Sequence, residues 1–231
     1  MDGKDYGGDR MTHSLWLHEK KALDEGFARV AGVDEAGRGP LAGPVVSAAI
    51  ILPVNFAVSG VTDSKRLTPR KRSVLYDEIY GAALSIGIGI VDPVEIDRIN
   101  ILQASLTAMA IAVENLDPFP DCLFVDGNRL IPPGMFRKKP LLLKQKAIVG
   151  GDLQSVSIGA ASIVAKVTRD RMMEGYHLDY PEFDFPGHKG YGTKAHLAAI
   201  AHFGCCPIHR RSFRGAGKAV FQQKELFAAN Q

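Results

Sequence analysis

The chain has 231 residues, 46% of them hydrophobic and 23% charged, with a formal net charge of +3. That length buries a full core, the composition excludes a disordered or collagen-like chain, and the mild basicity permits a polyanionic partner without demanding one. Three cysteines, with Cys205 and Cys206 adjacent, make a poor disulfide framework and fit a reducing compartment.

Residues 1–27 read as a leader with a short helix over residues 14–25. The polar opening has no apolar h-region, so it is not a secretory signal. No apolar run approaches the ~18 residues of a spanning helix, and the expectation is a cytoplasmic protein with no membrane contact. A strand runs from Arg29 to Val33 into a glycine-rich turn, and a buried one from Val45 to Leu52 between Pro44 and Pro53. The turn is too short for a crossover helix, so these two strands pair antiparallel. Thr68 and Pro69 start a helix that reaches about Ala83, as cap and first helical residue. Ser85 to Val91 alternates isoleucine and glycine as a third strand.

Asp92-Pro93-Val94-Glu95 is a second helix start. Ile99, Leu102, Leu106, Met109, Val113 and Leu116 then form one apolar face of a long helix. Cys122 to Val125 is a short strand ending at Asp126. Residues 129–140 hold three prolines and read as loop. Leu141 to Val149 is a further strand, ending at Gly150-Gly151-Asp152. A helix follows from about Val156 to Met173, and another over residues 193–203. This order predicts an α/β domain over residues 28–217, with a central mixed β-sheet flanked by helices and a small C-terminal helical cap. Residues 218–231 are a tail.

Asp34 and Glu35 follow the first strand and precede a turn with Gly37 and Gly39. A dinucleotide loop is a second reading, and the segment fits it poorly. Such a loop opens a helix toward the pyrophosphate, whereas Pro40 and Pro44 lead into a strand and two carboxylates would repel phosphates. Asp126 and Asp152 end two other strands. Four carboxylates at the ends of sheet strands, with no histidine or cysteine among them, suit Mg²⁺ or Mn²⁺ rather than zinc. Two such ions about 4 Å apart serve in-line displacement at a phosphodiester. His202, Cys205, Cys206 and His209 form a rival zinc set, but adjacent cysteines rarely reach one tetrahedral ion. His13 and His18 read as solvated. Basic clusters at Lys65–Arg72, Arg137–Lys146 and His209–Arg214 are candidates for a polyanion-facing surface.

The segments VAGVDEAGRGPLAGPVVSAAIIL, DSKRL, FVDGN, AASIVAKVTRD, HKGYGT and HRRSF resemble, in that order and at similar spacing, the bacterial ribonuclease HII family. The resemblance implies a ribonuclease H-like fold and a metal site of Asp34, Glu35, Asp126 and Asp152. It implies contact of Gly37, Arg38 and Gly39 with the ribonucleotide, of Ser64 and Lys65 with phosphate, and of Tyr191 with the RNA–DNA junction. Gly150 stands where the family commonly has a lysine, so a positive charge beside Asp152 is missing. The implied activity is two-metal cleavage of the RNA strand of RNA–DNA hybrids, and of duplex DNA on the 5′ side of single ribonucleotides. The products carry 5′-phosphate and 3′-hydroxyl ends. The alternatives are a ribonuclease HIII-type enzyme, whose extra N-terminal domain the short leader does not supply, and a catalytically silent hybrid-binding protein. Asp170 rivals Asp152 as fourth ligand, but lies ~20 Å along its helix at 1.5 Å per residue, so it is expected to pair with Lys166 or Arg169. The expected state is a monomer; a sliding-clamp partner for the tail is open.

Overall fold

A computed structural model of the chain describes residues 15–54, 56, 67–137 and 143–216. Five strands form one sheet: β1 (Val30–Ala36), β2 (Val45–Ile51), β3 (Ser85–Val91), β4 (Cys122–Asp126) and β5 (Lys144–Ile148), in the order β3-β2-β1-β4-β5. β2 pairs antiparallel with both β1 and β3, while β4 runs parallel to both β1 and β5. The mixed sheet and the antiparallel first pair are as the sequence implies.

The helices are α1 (Leu17–Asp24), α2 (Pro69–Ala82), α3 (Pro93–Glu114), α4 (Val156–Asp179), α5 (Phe185–His188) and α6 (Lys194–Phe203). The sequence-read starts of α2 and α3 are capped as expected. Thr68 Oγ1 accepts from the Lys71 N–H, and Asp92 Oδ1 accepts from the Glu95 N–H at 2.8 Å. α4 outruns its expected end near Met173 by more than a turn.

The two faces of the sheet are covered differently. Ala31, Val33, Ala49, Ile51, Leu123 and Val125 pack under Leu106, Met109 and Val113 of α3. On the other face Ala48 and Ile50 meet Leu75 and Ile79 of α2 and Ala160, Ile163 and Val164 of α4. The glycines of β3 explain its Ile-Gly alternation. A Cβ at Gly87 or Gly89 would stand 2.0 or 1.9 Å from the carbonyl oxygen of Ala112 or Ala108, so α3 lies directly on the strand backbone.

Three expectations are corrected. α3 is not one continuous helix: Asn100 takes φ 68°, ψ 162°, and its carboxamide oxygen accepts from the N–H groups of Leu102 and Gln103. The periodic apolar pattern runs unbroken through a kink that periodicity alone does not register. α3 is also apolar and long enough to cross a membrane by length and composition, but half of its most apolar window is buried against the protein. His18 is not solvated; it is half-buried edge-on to Phe124, with Lys146 Nζ 3.2 Å from its Nδ1.

Candidate active site

Side chains alternate along a strand, and this divides the Asp34-Glu35 pair. Gly32 faces α4, where a Cβ would meet the backbone of Ser157 and Ile158 at 2.3 Å. Asp34, two residues on, shares that side and hydrogen-bonds Ser162 of α4. Glu35 turns to the α3 side, beside Leu102, Ser105 and Met109. Val33 is in register with Val125 of the parallel strand β4, so Asp34 and Asp126 come next at adjacent carboxyl ends. Crevices outside the carboxyl ends of parallel strands are where open α/β sheets bind ligands.

A cavity of about 510 Å³ opens there, lined by Asp34, Glu35, Asp126, Gly37, Arg38, Gly39, Arg72, Ser162, Lys166 and Tyr191. Asp34 is only 6% exposed. Burial, then the charges of Glu35 and Asp126, hold its carboxyl well above the usual carboxylate range, against the hydrogen bonds from Ser162 and the Glu35 N–H. Burial also raises Glu35, opposed by Arg38, whose Nη1 donates to Oε1 at 3.1 Å. Such an anionic cluster needs a cation. The donors are all hard oxygens, which fits a divalent ion that keeps water and substrate ligands. Among the described residues, no three His, Cys, Asp or Glu side chains close on a single point; the carboxylates line the cavity instead.

Asp152 lies in a 3₁₀ turn, Gly151–Leu153, and is buried at 3% exposure. It is not in the cavity wall. Its neighbour Gly151 donates its N–H to Asp126 Oδ1 at 2.7 Å, which ties this turn to the carboxylate on β4. Gly150 has φ +65°, a left-handed conformation that favours glycine over a side-chain-bearing residue such as the lysine that the resemblance leads one to expect. Asp170 accepts from Lys166 Nζ at 2.6 Å, as expected. The distance argument against it needs correction, however. The cavity lies against Ser162 and Lys166, in the body of α4, so Asp170 is one turn beyond its wall. Its place in an adjoining cavity of about 450 Å³, and its pairing with Lys166, set it apart.

Gly37, Arg38, Gly39 and Tyr191 are brought together in the cavity wall, with Tyr191 47% exposed. Ser64, Lys65 and the tail fall outside the described residues. The Arg210 of the third basic cluster is not surface: it is 0% exposed, and His209 is 2% exposed. His209 spends Nδ1 on the Cys206 N–H and Nε2 on His196 Nε2 at 3.0 Å. Sequence reasoning missed Ser162, named Lys166 only as a partner for Asp170, and named Arg72 only within the first basic cluster; the structure puts all three in the cavity wall. Ser162 and Lys166 stand four residues apart in AASIVAKVTRD, which places them on one helix face. That spacing is the signal that would have found them.

Comparison with known proteins gives the same reading. The family model described as Ribonuclease HII matches residues 31–216. The Ribonuclease HII of Geobacter metallireducens is 55% identical over 207 residues, covering 90% of this chain and 93% of that protein. That of Acetivibrio thermocellus is 51% identical over 199 residues, 86% of this chain and 75% of its own. Among solved structures, the ribonuclease H2 from Pyrococcus horikoshii OT3 superposes with a TM-score of 0.70 at 29% identity, over 85% of this chain and 99% of that one. The PCNA:RNase HII complex from Archaeoglobus fulgidus contributes a chain with a TM-score of 0.67 at 26% identity, over 81% of this chain and 96% of its own. A matched family model, relatives above half identity and a shared fold agree with the acidic cavity at the strand ends, and the chain belongs to the ribonuclease HII family.

Proposed function

We propose that this ribonuclease H enzyme cuts the RNA strand of RNA–DNA hybrids and cuts duplex DNA on the 5′ side of single ribonucleotides. The products would be 5′-phosphate and 3′-hydroxyl ends. The observation that carries this is one cavity in which Asp34, Glu35 and Asp126 face Arg38, Arg72 and Lys166 beside an exposed Gly37–Gly39 turn. Carboxylates alone would repel a nucleic-acid strand; cations alone would bind it without a site for a divalent ion.

Asp34, Glu35 and Asp126 would hold Mg²⁺ or Mn²⁺, with Asp152 joining them from the turn tied to Asp126. Ions bound there lower the pKa of water and neutralise charge on the phosphate under attack. Arg38, held by Glu35, stands at the cavity rim and offers its remaining donors to phosphate oxygens. Gly37 and Gly39 leave room for a ribose, whose 2′-hydroxyl distinguishes RNA from DNA, and Tyr191 offers an exposed ring for stacking on the adjoining nucleotide. A silent hybrid-binding protein is disfavoured, because burying mutually repelling carboxylates is costly without an ion to hold. The Archaeoglobus complex is a precedent for a clamp partner, and the tail that would be tested for one is residues 218–231.

The test is a duplex carrying one ribonucleotide, incubated with Mg²⁺ or Mn²⁺, with product ends mapped. A single cut on the 5′ side of the ribonucleotide, absent in Asp34→Asn, is expected. A cut at another bond, or undiminished cleavage by Asp34→Asn, would overturn the assignment.

A further inference from the structure

The loop from Gly37 to Pro44, between β1 and β2, turns its carbonyls inward onto two arginines. Arg210 donates from Nη2 to the Gly37 carbonyl at 2.6 Å, from Nη1 to Arg38 and Pro40 at 3.1 and 2.9 Å, and from Nε to Gly43 at 2.9 Å. Arg169 donates from Nε to Pro44 at 3.0 Å and from Nη2 to Ala42 at 2.9 Å; its Nη1 holds Lys189, next to the Gly190-Tyr191 turn, at 2.9 Å. The two side chains come from separate elements, α4 and the segment after α6.

Both guanidiniums are internal, at 0% and 1% exposure, and among the described residues neither has a carboxylate in ion-pair range. Burial, then the charge of Arg169, pushes Arg210 down to about 9. Loop carbonyls ordinarily bond water at the surface without such a cost, so the fixed direction of this backbone is what the two cations supply.

In a trans peptide the carbonyl of one residue and the N–H of the next point opposite ways. With the Gly37 and Arg38 carbonyls drawn inward, the N–H groups of Arg38 and Gly39 point outward. Among the described residues neither N–H has a backbone acceptor, and both residues line the cavity. The Leu41 N–H, by contrast, is already taken by the Gly190 carbonyl at 2.8 Å.

We propose that Arg169 and Arg210 are positioning residues: by gripping the loop carbonyls from inside, they aim the Arg38 and Gly39 N–H groups into the cavity as paired donors to the ribonucleotide. The recognised groups are the oxygens of the ribose, not those of the phosphate, which a deoxyribonucleotide carries as well. This rests on the site reading above, that the cavity takes a ribose-containing strand.

Arg210→Lys and Arg169→Lys test it, since each keeps the charge but replaces a planar fork with a point donor. Dissociation constants are measured on the full chain by fluorescence anisotropy, with Ca²⁺ as the divalent ion so that binding is read without turnover. The two probes are a duplex with one ribonucleotide and an all-DNA duplex of the same sequence. The preference for the ribonucleotide is expected to fall about tenfold in each variant, as for loss of one or two hydrogen bonds. Affinity for the all-DNA duplex should change less than about twofold, because its phosphate contacts remain. Equal weakening on both duplexes, or an unchanged preference, overturns the positioning role. No preference in the unsubstituted protein overturns the site reading instead. Where a lysine variant does not fold, the unsubstituted protein decides. Its Arg38 and Gly39 amide resonances should shift on adding the ribonucleotide duplex and not the all-DNA one; resonances that stay still overturn the proposal.

Discussion

Asp34 sits among groups that oppose its charge: an interior site first, then Glu35 and Asp126. In the metal-free protein this is stored repulsion, so removing the charge relieves it. Asp34→Asn should therefore keep or raise the melting temperature without metal, by up to the equivalent of ~1–2 kcal/mol, while losing the added stability that Mn²⁺ gives the unsubstituted protein. Melts with and without Mn²⁺ measure both; a large drop in metal-free stability would mean that Asp34 is a structural anchor. The fourth acid is separated in the same way. Asp152→Asn should cost at least ~100-fold in kcat/KM, as for loss of a metal ligand, against a few-fold for Asp170→Asn, which loses only a partly exposed ion pair with Lys166. The reverse order would put Asp170 in the site. Asp34, Glu35 and Asp126 were legible in the sequence because they close apolar strands, where a charged residue needs a reason; Asp152, expected at a strand end, lies instead in the 3₁₀ turn beyond β5. Arg169 and Arg210 were not legible: arginine in a basic stretch reads as surface, and only the fold shows that backbone carbonyls, not water, surround it.

At the scale of elements, the caps Thr68 and Asp92 and the alternation of β3 predicted boundaries to within a residue, because capping and the strand period are local chemistry. The break in α3 is local too, yet was missed, since the apolar face continues across Asn100 and masks the one poor helix former there. Its φ of 68° with ψ 162° is a region that glycine tolerates and other residues occupy at a cost. Its carboxamide offsets that cost by capping Leu102 and Gln103. Asn100→Ala loses the cap and keeps the strain, so about 1–2 kcal/mol of stability should go. Asn100→Gly loses the cap but sheds the strain and should stay closer to the unsubstituted protein. Urea titration ranks the three; alanine equal to or better than glycine would mean that the kink is not held this way. The docking of α1 was also invisible in sequence. Buried Glu19 accepts from Ser155 Oγ and from the N–H and Oγ of Ser157, at the N-terminus of α4, a long-range pairing with no periodic signature.

Across the whole molecule, the sheet supplies the acids and the C-terminal segments supply the far wall of the cavity, so the site depends on how firmly the two are joined. The join contains a chain of uncharged histidines. Because His209 Nδ1 accepts from the Cys206 N–H, its proton is on Nε2 and is donated to His196 Nε2. His196 then carries its own proton on Nδ1 and donates it to the carbonyl of Tyr191 at 2.9 Å. A second proton on either ring would leave two N–H groups facing each other 3.0 Å apart, in a site already stacked against His188. Burial accordingly lowers both histidines to about 4, with the neighbouring histidines adding to the effect. The sign follows from proton counting. Between about 6.5 and about 4 the unfolded chain binds protons that the folded one refuses, so stability is complete above pH 6.5 and is lost as pH falls through that window. The loss should be on the order of a few kcal/mol. A His209→Gln variant that folds should show a shallower decline, since it carries one fewer group to protonate. Chemical denaturation at a series of pH values between 7 and 4 gives both slopes. Tryptophan fluorescence from Trp16, packed near α1, and cleavage activity should not fall together if the C-terminal segments loosen first: if activity needs Tyr191 in the wall, as proposed, it goes at the higher pH. Identical slopes for the two proteins would mean that the histidine chain is not what acid breaks.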